Sequence, residues 1–311
     1  MLKRPRNAPL KTGTSTATGC PMSVAANLDQ LIHSSLATLA LPDVYLRLRE
    51  TMEDDRATLD DVAKVLSLDP ALAARILRIA NSALYGLRSQ VDTVSRAASV
   101  LGMQEIHDLT LAASVSKAIE GLDNDLMDLN TFWYRSVHCG FLAKEIAAGA
   151  GLRNSESMFI RGLLHDIGHI LLFSLQPEAC RKALAASDQG LAARLRVEQA
   201  IIGMNALQLV AELAAQWQLP ASFIESYTHL MAPEQAPPAM QREIAMLQIA
   251  VQISSGVDSD LLINEILQQI PKQAWKLAEL PPEVAPAALD ASTLEMTEAM
   301  YQVLTRQELA A

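Results

Sequence analysis

Aromatic residues are scarce in this chain of 311 residues, making up 4% of it, although hydrophobic residues make up 50%. The apolar residues are chiefly alanine and leucine, which favour helices, whereas strands draw on β-branched and aromatic residues. We find no segment with convincing strand-like alternation and no internal repeat. The composition therefore predicts an all-α protein.

Cysteine and basic charge are also limited. The chain has three cysteines, Cys20, Cys139 and Cys180, and none belongs to a CxxC pair. Scattered thiols in odd number are typical of a reducing cytoplasm. The 25 basic residues are outnumbered by 35 acidic ones, giving a net charge of −10. Because a duplex-binding surface needs clustered Lys and Arg, this balance disfavours DNA binding.

Signals of several other protein classes are missing. The basic N-terminus is not followed by an apolar segment, so it does not predict a secretory signal. No uninterrupted apolar run is long enough to span a bilayer. Glycine-rich phosphate loops and Ser-His-Asp arrangements are absent from the sequence. We therefore expect a cytoplasmic protein that contacts neither membrane nor DNA.

Helical periodicity divides the chain into four regions. Residues 1–24 are rich in Thr, Ser, Pro and Gly and predict a disordered tail. Helices are predicted over 25–125, 126–235 and 236–311. Capping residues predict helix starts at Thr58, Asp69, Thr93, Ser155 and, in a capping box with Glu295, Ser292. The apolar residues of the last region predict packing on the preceding helices or a homodimer face.

The stretch RGLLHDIGHILLF (161–173) is an apolar helical run interrupted by the polar pair His165-Asp166. An imidazole beside a carboxylate is a natural pair of metal ligands, because it offers one nitrogen and up to two oxygens. Gly168 allows a sharp turn after the pair. His169 is four residues past His165, but the expected turn predicts that it is exposed near a helix end.

Four segments in this order resemble the bacterial HDOD domain. They are DPALAARILRIANSALYG (69–86), VSRAASVLG (94–102), GLLHDIG (162–168) and WQLP (217–220). The resemblance extends from about residue 36 to 233. It implies a compact multi-helix bundle related to the HD-type metal phosphohydrolases, including the HD-GYP enzymes that hydrolyse cyclic di-GMP. It assigns 25–125 to the N-terminal half of the domain, 126–235 to the HD-like half and 236–311 to a C-terminal extension.

Catalytic HD proteins carry more metal ligands than this sequence retains. The resemblance places an early His two residues after Trp133, where Arg135 stands. It places a later His where Ala206 follows Asn205, and a late Asp at Val251. Only the pair His165-Asp166 is kept, whereas a zinc-type centre needs about three protein ligands. The resemblance therefore implies a degenerate metal site without a cofactor.

Arg135 adds an electrostatic obstacle to metal binding. A guanidinium about 4 Å from a divalent ion would cost roughly 8 kcal/mol at an effective dielectric constant of about 20. One hypothesis is that Arg135 takes the place of the metal and pairs with Asp166, joining two helices. The alternative is that Arg135 points to solvent and Asp166 caps the following helix.

Other polar residues have a structural and a functional interpretation. A rearranged metal site could draw on His138 and His229 together with His165-Asp166, although the spacing is not a known signature. Asn81 and Tyr85 match the family pattern and could line a ligand or partner cleft together with Arg135, His165, Asp166 and Asn205. The structural interpretation is that Asn81 bonds backbone groups at a helix end and Tyr85 buries its ring.

Two functions follow from the resemblance. The first is a non-catalytic bacterial signalling module that binds a protein partner, or a nucleotide second messenger. The second is a metal-dependent phosphohydrolase acting on a nucleotide or cyclic dinucleotide. The number of retained ligands favours the first, and the sequence names neither the partner nor the pathway.

Overall fold

The computed structural model describes residues 41–308, apart from positions 42, 55, 82–89, 120–121, 123–124, 153–154, 186–189 and 259–260; of residues 79, 156, 258 and 297–308 it describes the backbone alone. The predicted tail over 1–24, the first predicted helix and Tyr85 lie outside the described residues. The described residues form helices, turns and loops and contain no strand. The all-α prediction is confirmed.

The helices nearest the N-terminus form a front bundle with a core of its own. Its members are α1 (Asp43–Glu53), α2 (Leu59–Leu66), α3 (Pro70–Ala80), α4 (Val94–Leu101) and α5 (Met103–Ile119). Their apolar faces meet around Leu48, Leu66 and Ile76, which are fully buried. Helix α5 is buried on almost every side, and its buried residues include His107 and Asp108. It therefore joins the front bundle to the rest of the molecule.

The following helices form the central bundle, which carries the His-Asp pair. They are α6 (Leu129–Gly149), α7 (Glu156–Leu164), α8 (Ile167–Leu175), α9 (Pro177–Leu184), α10 (Leu191–Ile202), α11 (Ala206–Gln216) and α12 (Ala221–Thr228). Helices α6 and α7 pack closely along their length, and α8 packs against α11. His165 and Asp166 form the turn between α7 and α8, so the polar pair interrupts the apolar run as the sequence predicts.

The C-terminal region packs on the central bundle, which is one of its two predicted arrangements. It contains a 3-10 turn (Pro233–Gln235) and the helices α13 (Gln241–Asp258), α14 (Ile263–Gln269), α15 (Lys272–Ala278) and α16 (Val284–Glu308). Helix α13 lies against α6 and α7, and α16 lies along α6. Ile244 and Ile249 of α13 are completely buried, and Ile249 belongs to the same core as Leu164. Residues 236–296 thus complete the main core.

Local capping explains several helix starts. Thr58 forms a reciprocal capping box with Asp61, Asp69 accepts hydrogen bonds from two backbone N–H groups, and Thr93 accepts one from the N–H of Arg96. These predictions are confirmed. Ser155 directly precedes α7, but its side chain makes no capping hydrogen bond.

The capping box predicted at Ser292 is wrong. Helix α16 begins at Val284, and the Ser292 hydroxyl, inside the helix, donates to the carbonyl of Leu289. Pro286 does not prevent this earlier start, because a proline in the first turn of a helix removes an N–H that has no intrahelical acceptor.

One helical stretch, Ser157–Leu175, has the length and composition of a membrane span, but 72% of its most apolar window is buried inside the fold. The turn at His165-Asp166 divides this stretch into α7 and α8. Core helices of folded domains are usually buried in this way.

Candidate functional site

The His-Asp pair is held in a tight turn. The Nδ1 atom of His165 lies 2.6 Å from the carbonyl oxygen of Gly162, so this nitrogen donates its hydrogen. In the neutral ring, Nε2 then carries the lone pair. The orientation of His165 is therefore set by the last turn of α7.

Gly168 follows the pair, and its role is close packing. A Cβ atom at this position would lie 2.0 Å from the carbonyl oxygen of Ala206. Helices α8 and α11 therefore approach too closely for any side chain at residue 168. The sequence predicts a glycine-dependent turn here, but Gly168 is already part of α8.

A buried polar network lies directly behind the pair and is centred on His169. Its Nδ1 atom contacts Oδ1 of Asp166 at short distance, and its Nε2 atom lies 3.0 Å from Oε1 of Glu198. Glu198 also accepts hydrogen bonds from Nε of Arg194, at 3.1 Å, and from the backbone N–H of Ala206, at 3.0 Å. The imidazole thus links the pair to α10 and, through Glu198, to α11.

The prediction that His169 is exposed is wrong, because only 2% of its surface is accessible. Helix α8 is apolar around its whole circumference and is buried as a core helix, so its one imidazole is buried with it. The turn at residues 165–166 places Asp166 one helical turn before His169, where the two side chains meet.

Charge stabilises this network against the cost of burial. Burial and the charge of Arg194 act to lower the pKa of His169, but the carboxylates of Asp166 and Glu198 outweigh them and raise it. Burial acts to raise the pKa of Asp166 and of Glu198, but the charge and hydrogen bond of His169 outweigh burial and lower both. Two carboxylates are therefore matched by an imidazolium and a guanidinium.

A cavity of about 40 Å³ lies in front of the pair. It is lined by Arg135, His165, Asp166, His169, Leu191, Arg194, Val251, Ser254 and Ser255. Arg135 and Val251, which stand where the resemblance places an early His and a late Asp, therefore do lie beside the pair. The structure thus brings Arg135 and Val251 to the cavity at the pair, and direct pairing of Arg135 with Asp166 stays a hypothesis.

The residues around this cavity do not fit a catalytic metal. Asp166 is held by His169 through Oδ1, and the positions of the other expected ligands hold a guanidinium, a methyl group and an isopropyl group. Arg194 brings a second cation to the same wall. Among the described residues, no three or more His, Cys, Asp or Glu side chains are arranged to hold a metal ion.

The structure does not bring together the rearranged set of histidines. His138 is buried against the last helix, and its Nε2 atom lies 3.4 Å from the hydroxyls of Ser292 and Thr293. Burial lowers its pKa. His229 pairs instead with Glu225, one turn earlier in the chain, at 3.2 Å.

The two predicted cleft asparagines have structural roles. Asn81 donates to the carbonyls of Leu77 and Val91 and accepts from the N–H of Val91, which ties the end of α3 to the chain before α4. Asn205 caps α11 in a capping box with Gln208. Neither residue lines the cavity in front of His165-Asp166. Tyr85, the remaining predicted cleft residue, lies outside the described residues.

The sequence does not identify Arg194 or Glu198 as site residues. One signal was present: a glutamate four residues after an arginine in a helix with apolar neighbours, a spacing that brings the two side chains together. Because Glu198 is 29 residues from its main partner His169, the contact depends on how α8 and α10 pack.

This arrangement, an HD turn inside an all-helical bundle behind a front bundle, defines an HD-like helical domain. Residues 39–233 match the family model of the HDOD domain. The chain belongs to the HDOD domain family, and the matched range agrees with the resemblance seen in the sequence.

Two solved structures have a similar fold. A crystal structure of a protein from Shewanella amazonensis SB2B, provisionally named a phosphohydrolase, is 26% identical, with a TM-score of 0.68 over 87% of this chain and 97% of that chain. An HDOD domain protein of unknown function from Geobacter sulfurreducens is 19% identical, with a TM-score of 0.68 over 85% and 96%.

A curated relative is longer than this chain. An uncharacterized protein of Treponema pallidum (strain Nichols) is 23% identical over 257 residues, which cover 81% of this chain and 47% of the relative. The chain therefore spans about half the length of the curated relative that it matches.

Proposed function

We propose that this protein is a non-catalytic signalling module of the bacterial cytoplasm, which binds a partner protein through its HD-type scaffold. The observation that carries the proposal is the set of residues that line the cavity at His165-Asp166, together with its volume. Arg135 and Val251 stand beside the pair where two metal ligands are expected, and the cavity measures about 40 Å³. Such a cavity is far smaller than the ~300–1,000 Å³ of typical small-molecule sites.

The buried network supports the same proposal. In a metal enzyme, the aspartate of the pair must offer an oxygen to the ion. Here Asp166 is held by His169, which is itself held by Glu198. A carboxylate that is fixed in a charge-balanced network stabilises the contact between α8 and α10, as expected of a scaffold.

The alternative is a metal-dependent phosphohydrolase that acts on a nucleotide or cyclic dinucleotide. It is favoured by the survival of His165 and Asp166 side by side at a cavity, and the name of the Shewanella relative points the same way. This alternative needs a further metal ligand from outside the described residues or from a partner chain.

Hydrolysis assays with purified protein test the proposal. The substrates are bis(p-nitrophenyl) phosphate, nucleoside triphosphates and cyclic di-GMP, each with Mn²⁺, Mg²⁺ or Fe²⁺. We expect equal rates for the wild-type protein and the His165→Ala variant. A wild-type rate well above that of His165→Ala would overturn the non-catalytic assignment. His229→Ala serves as a control, since His229 lies outside the cavity and pairs with Glu225.

A further inference from the structure

A second and larger cavity lies between the front bundle and the central bundle. Its volume is about 380 Å³, within the range of small-molecule sites. Gln104, His107 and Asp108 of α5 form one wall, and Arg161, Phe223 and Glu243 contribute to the other. A molecule bound here would contact both bundles.

Asp108, which lines this cavity, has a carboxylate oxygen without a hydrogen-bond donor among the described residues. The residue is 3% exposed, and its Oδ1 atom accepts a hydrogen bond from the Gln104 amide at 3.0 Å. Its Oδ2 atom is buried and accepts no hydrogen bond from any described residue. Because buried polar atoms nearly always form hydrogen bonds, we expect this oxygen to accept one.

The neighbouring imidazole contacts the other carboxylate oxygen of Asp108. Nδ1 of His107 lies 3.0 Å from Oδ1 of Asp108, and Nε2 lies 3.1 Å from the hydroxyl of Tyr45. A neutral ring that donates from Nδ1 and accepts at Nε2 satisfies both contacts. Both contacts of the imidazole leave Oδ2 of Asp108 without a hydrogen-bond donor among the described residues.

Arg161, on the opposite wall, has a buried N–H donor without an acceptor among the described residues. Arg161 is 5% exposed, and its Nη1 atom donates to Glu243 at 2.8 Å. Its Nε atom is buried and finds no acceptor among the described residues. The guanidinium carbon lies 5.8 Å from the centre of the Phe223 ring, which supplies an apolar surface between the polar groups.

We propose that this cavity binds a small zwitterion of the amino-acid class. Its ammonium group donates to Oδ2 of Asp108, its carboxylate accepts from Arg161, and its side chain packs on Phe223. This site is separate from the cavity at His165-Asp166 and does not depend on the non-catalytic assignment. Since Arg161 is one helical turn before His165, the ligand would also contact α7, the helix that ends at the pair.

Thermal shift and calorimetric titration of the full chain test the site. The probes are the common amino acids, added singly. Butylamine, with only a positive charge, and butyrate, with only a negative charge, serve as comparison ligands. We expect at least one amino acid to raise the Tm and to bind, and butylamine and butyrate to bind at least about tenfold more weakly. Absence of binding by every amino acid, or equal binding by butylamine or butyrate, would overturn the proposal.

Two variants locate the binding. Asp108→Asn keeps the shape of the side chain and should weaken binding about tenfold or more, whereas Asp92→Asn, at an exposed position, should leave it unchanged. Ser222→Leu should fill the cavity without removing a charge, with the exposed Ser99→Leu as its control. If Asp108→Asn is unstable, loss of binding in a folded Ser222→Leu protein still supports the site. Binding that survives in Ser222→Leu contradicts it.

Discussion

Nε2 of His169 lies 3.0 Å from Oε1 of Glu198, and this contact joins α8 to α10 directly behind the His-Asp turn. The same imidazole holds Asp166 through its other nitrogen. The aspartate of the pair is therefore bound to the interior of the protein. This relationship connects the stability of the fold with the proposed loss of the metal site.

Replacing His169 should destabilise the protein strongly. In His169→Gln, the imidazolium between Asp166 and Glu198 is lost, and two buried carboxylates keep too few partners. Breaking a buried charge network in this way costs roughly 3–5 kcal/mol. Urea unfolding measures the change, with His229→Gln as a control expected to stay within about 1 kcal/mol, because its pair is partly exposed. Equal effects of the two variants would contradict the role of the network.

The network should also shape the pH dependence of stability. The folded-state pKa of His169 is raised, so its contribution is complete below its unfolded value of about 6.5 and is lost as pH rises through the folded value. The pKa values of Asp166 and Glu198 are lowered, so their contributions are present above about pH 4 and are lost as pH falls.

The stability difference between wild type and His169→Gln should therefore be largest between about pH 4.5 and 6.5. Urea unfolding of both proteins at about pH 5.5 and about pH 9 gives the comparison. We expect the difference to shrink as pH rises, because the contribution of His169 is lost between its unfolded pKa and its raised folded-state pKa. A difference that grows with pH would mean that the imidazole is neutral in the folded state.

Gly168→Ala should be destabilising although alanine favours helices. The added Cβ would lie 2.0 Å from the carbonyl oxygen of Ala206, so α8 and α11 must separate. Overpacking of this kind costs about 1–3 kcal/mol. Gly149→Ala, near the end of α6, is the matched control, since its Cβ meets nothing within 4 Å. Thermal unfolding should show a lower Tm for Gly168→Ala and an unchanged or higher Tm for Gly149→Ala.

The last helix should be needed for stability in the monomer. Ala285 is fully buried where α16 begins, whereas Ala287, two residues later, is exposed. Ala285→Glu places a charge in the core and should cost several kcal/mol, whereas Ala287→Glu should change the free energy of unfolding by less than about 1 kcal/mol. If both variants unfold like the wild type, α16 does not pack on the central bundle in solution.

Local chemistry determined which parts of the fold were predictable. The helix starts at Thr58, Asp69 and Thr93 depend on a side chain and backbone groups two or three residues away, so the sequence reveals them. The capping box at Ser292 has the same local pattern, but the residues before it also fold as helix because Ala285 packs into the core. In this case tertiary packing outweighed a local signal.

The candidate site was predictable where a family resemblance assigned positions. It placed Arg135 and Val251 beside His165-Asp166, and both line the same cavity. The resemblance says nothing of the contact between His169 and Glu198, which depends on how two helices pack. The cavity at Asp108 was missed for the same reason, since its walls come from both bundles.

Metal analysis after purification without chelator tests whether the site at His165-Asp166 still binds a metal ion. The comparison uses wild type, His165→Ala and the double variant Arg135→His/Val251→Asp, which restores two expected ligands beside His165-Asp166. We expect well below one equivalent of Zn, Fe or Mn in the first two proteins and a clear gain in the double variant. Near-stoichiometric metal in the wild type that is lost in His165→Ala would contradict this expectation.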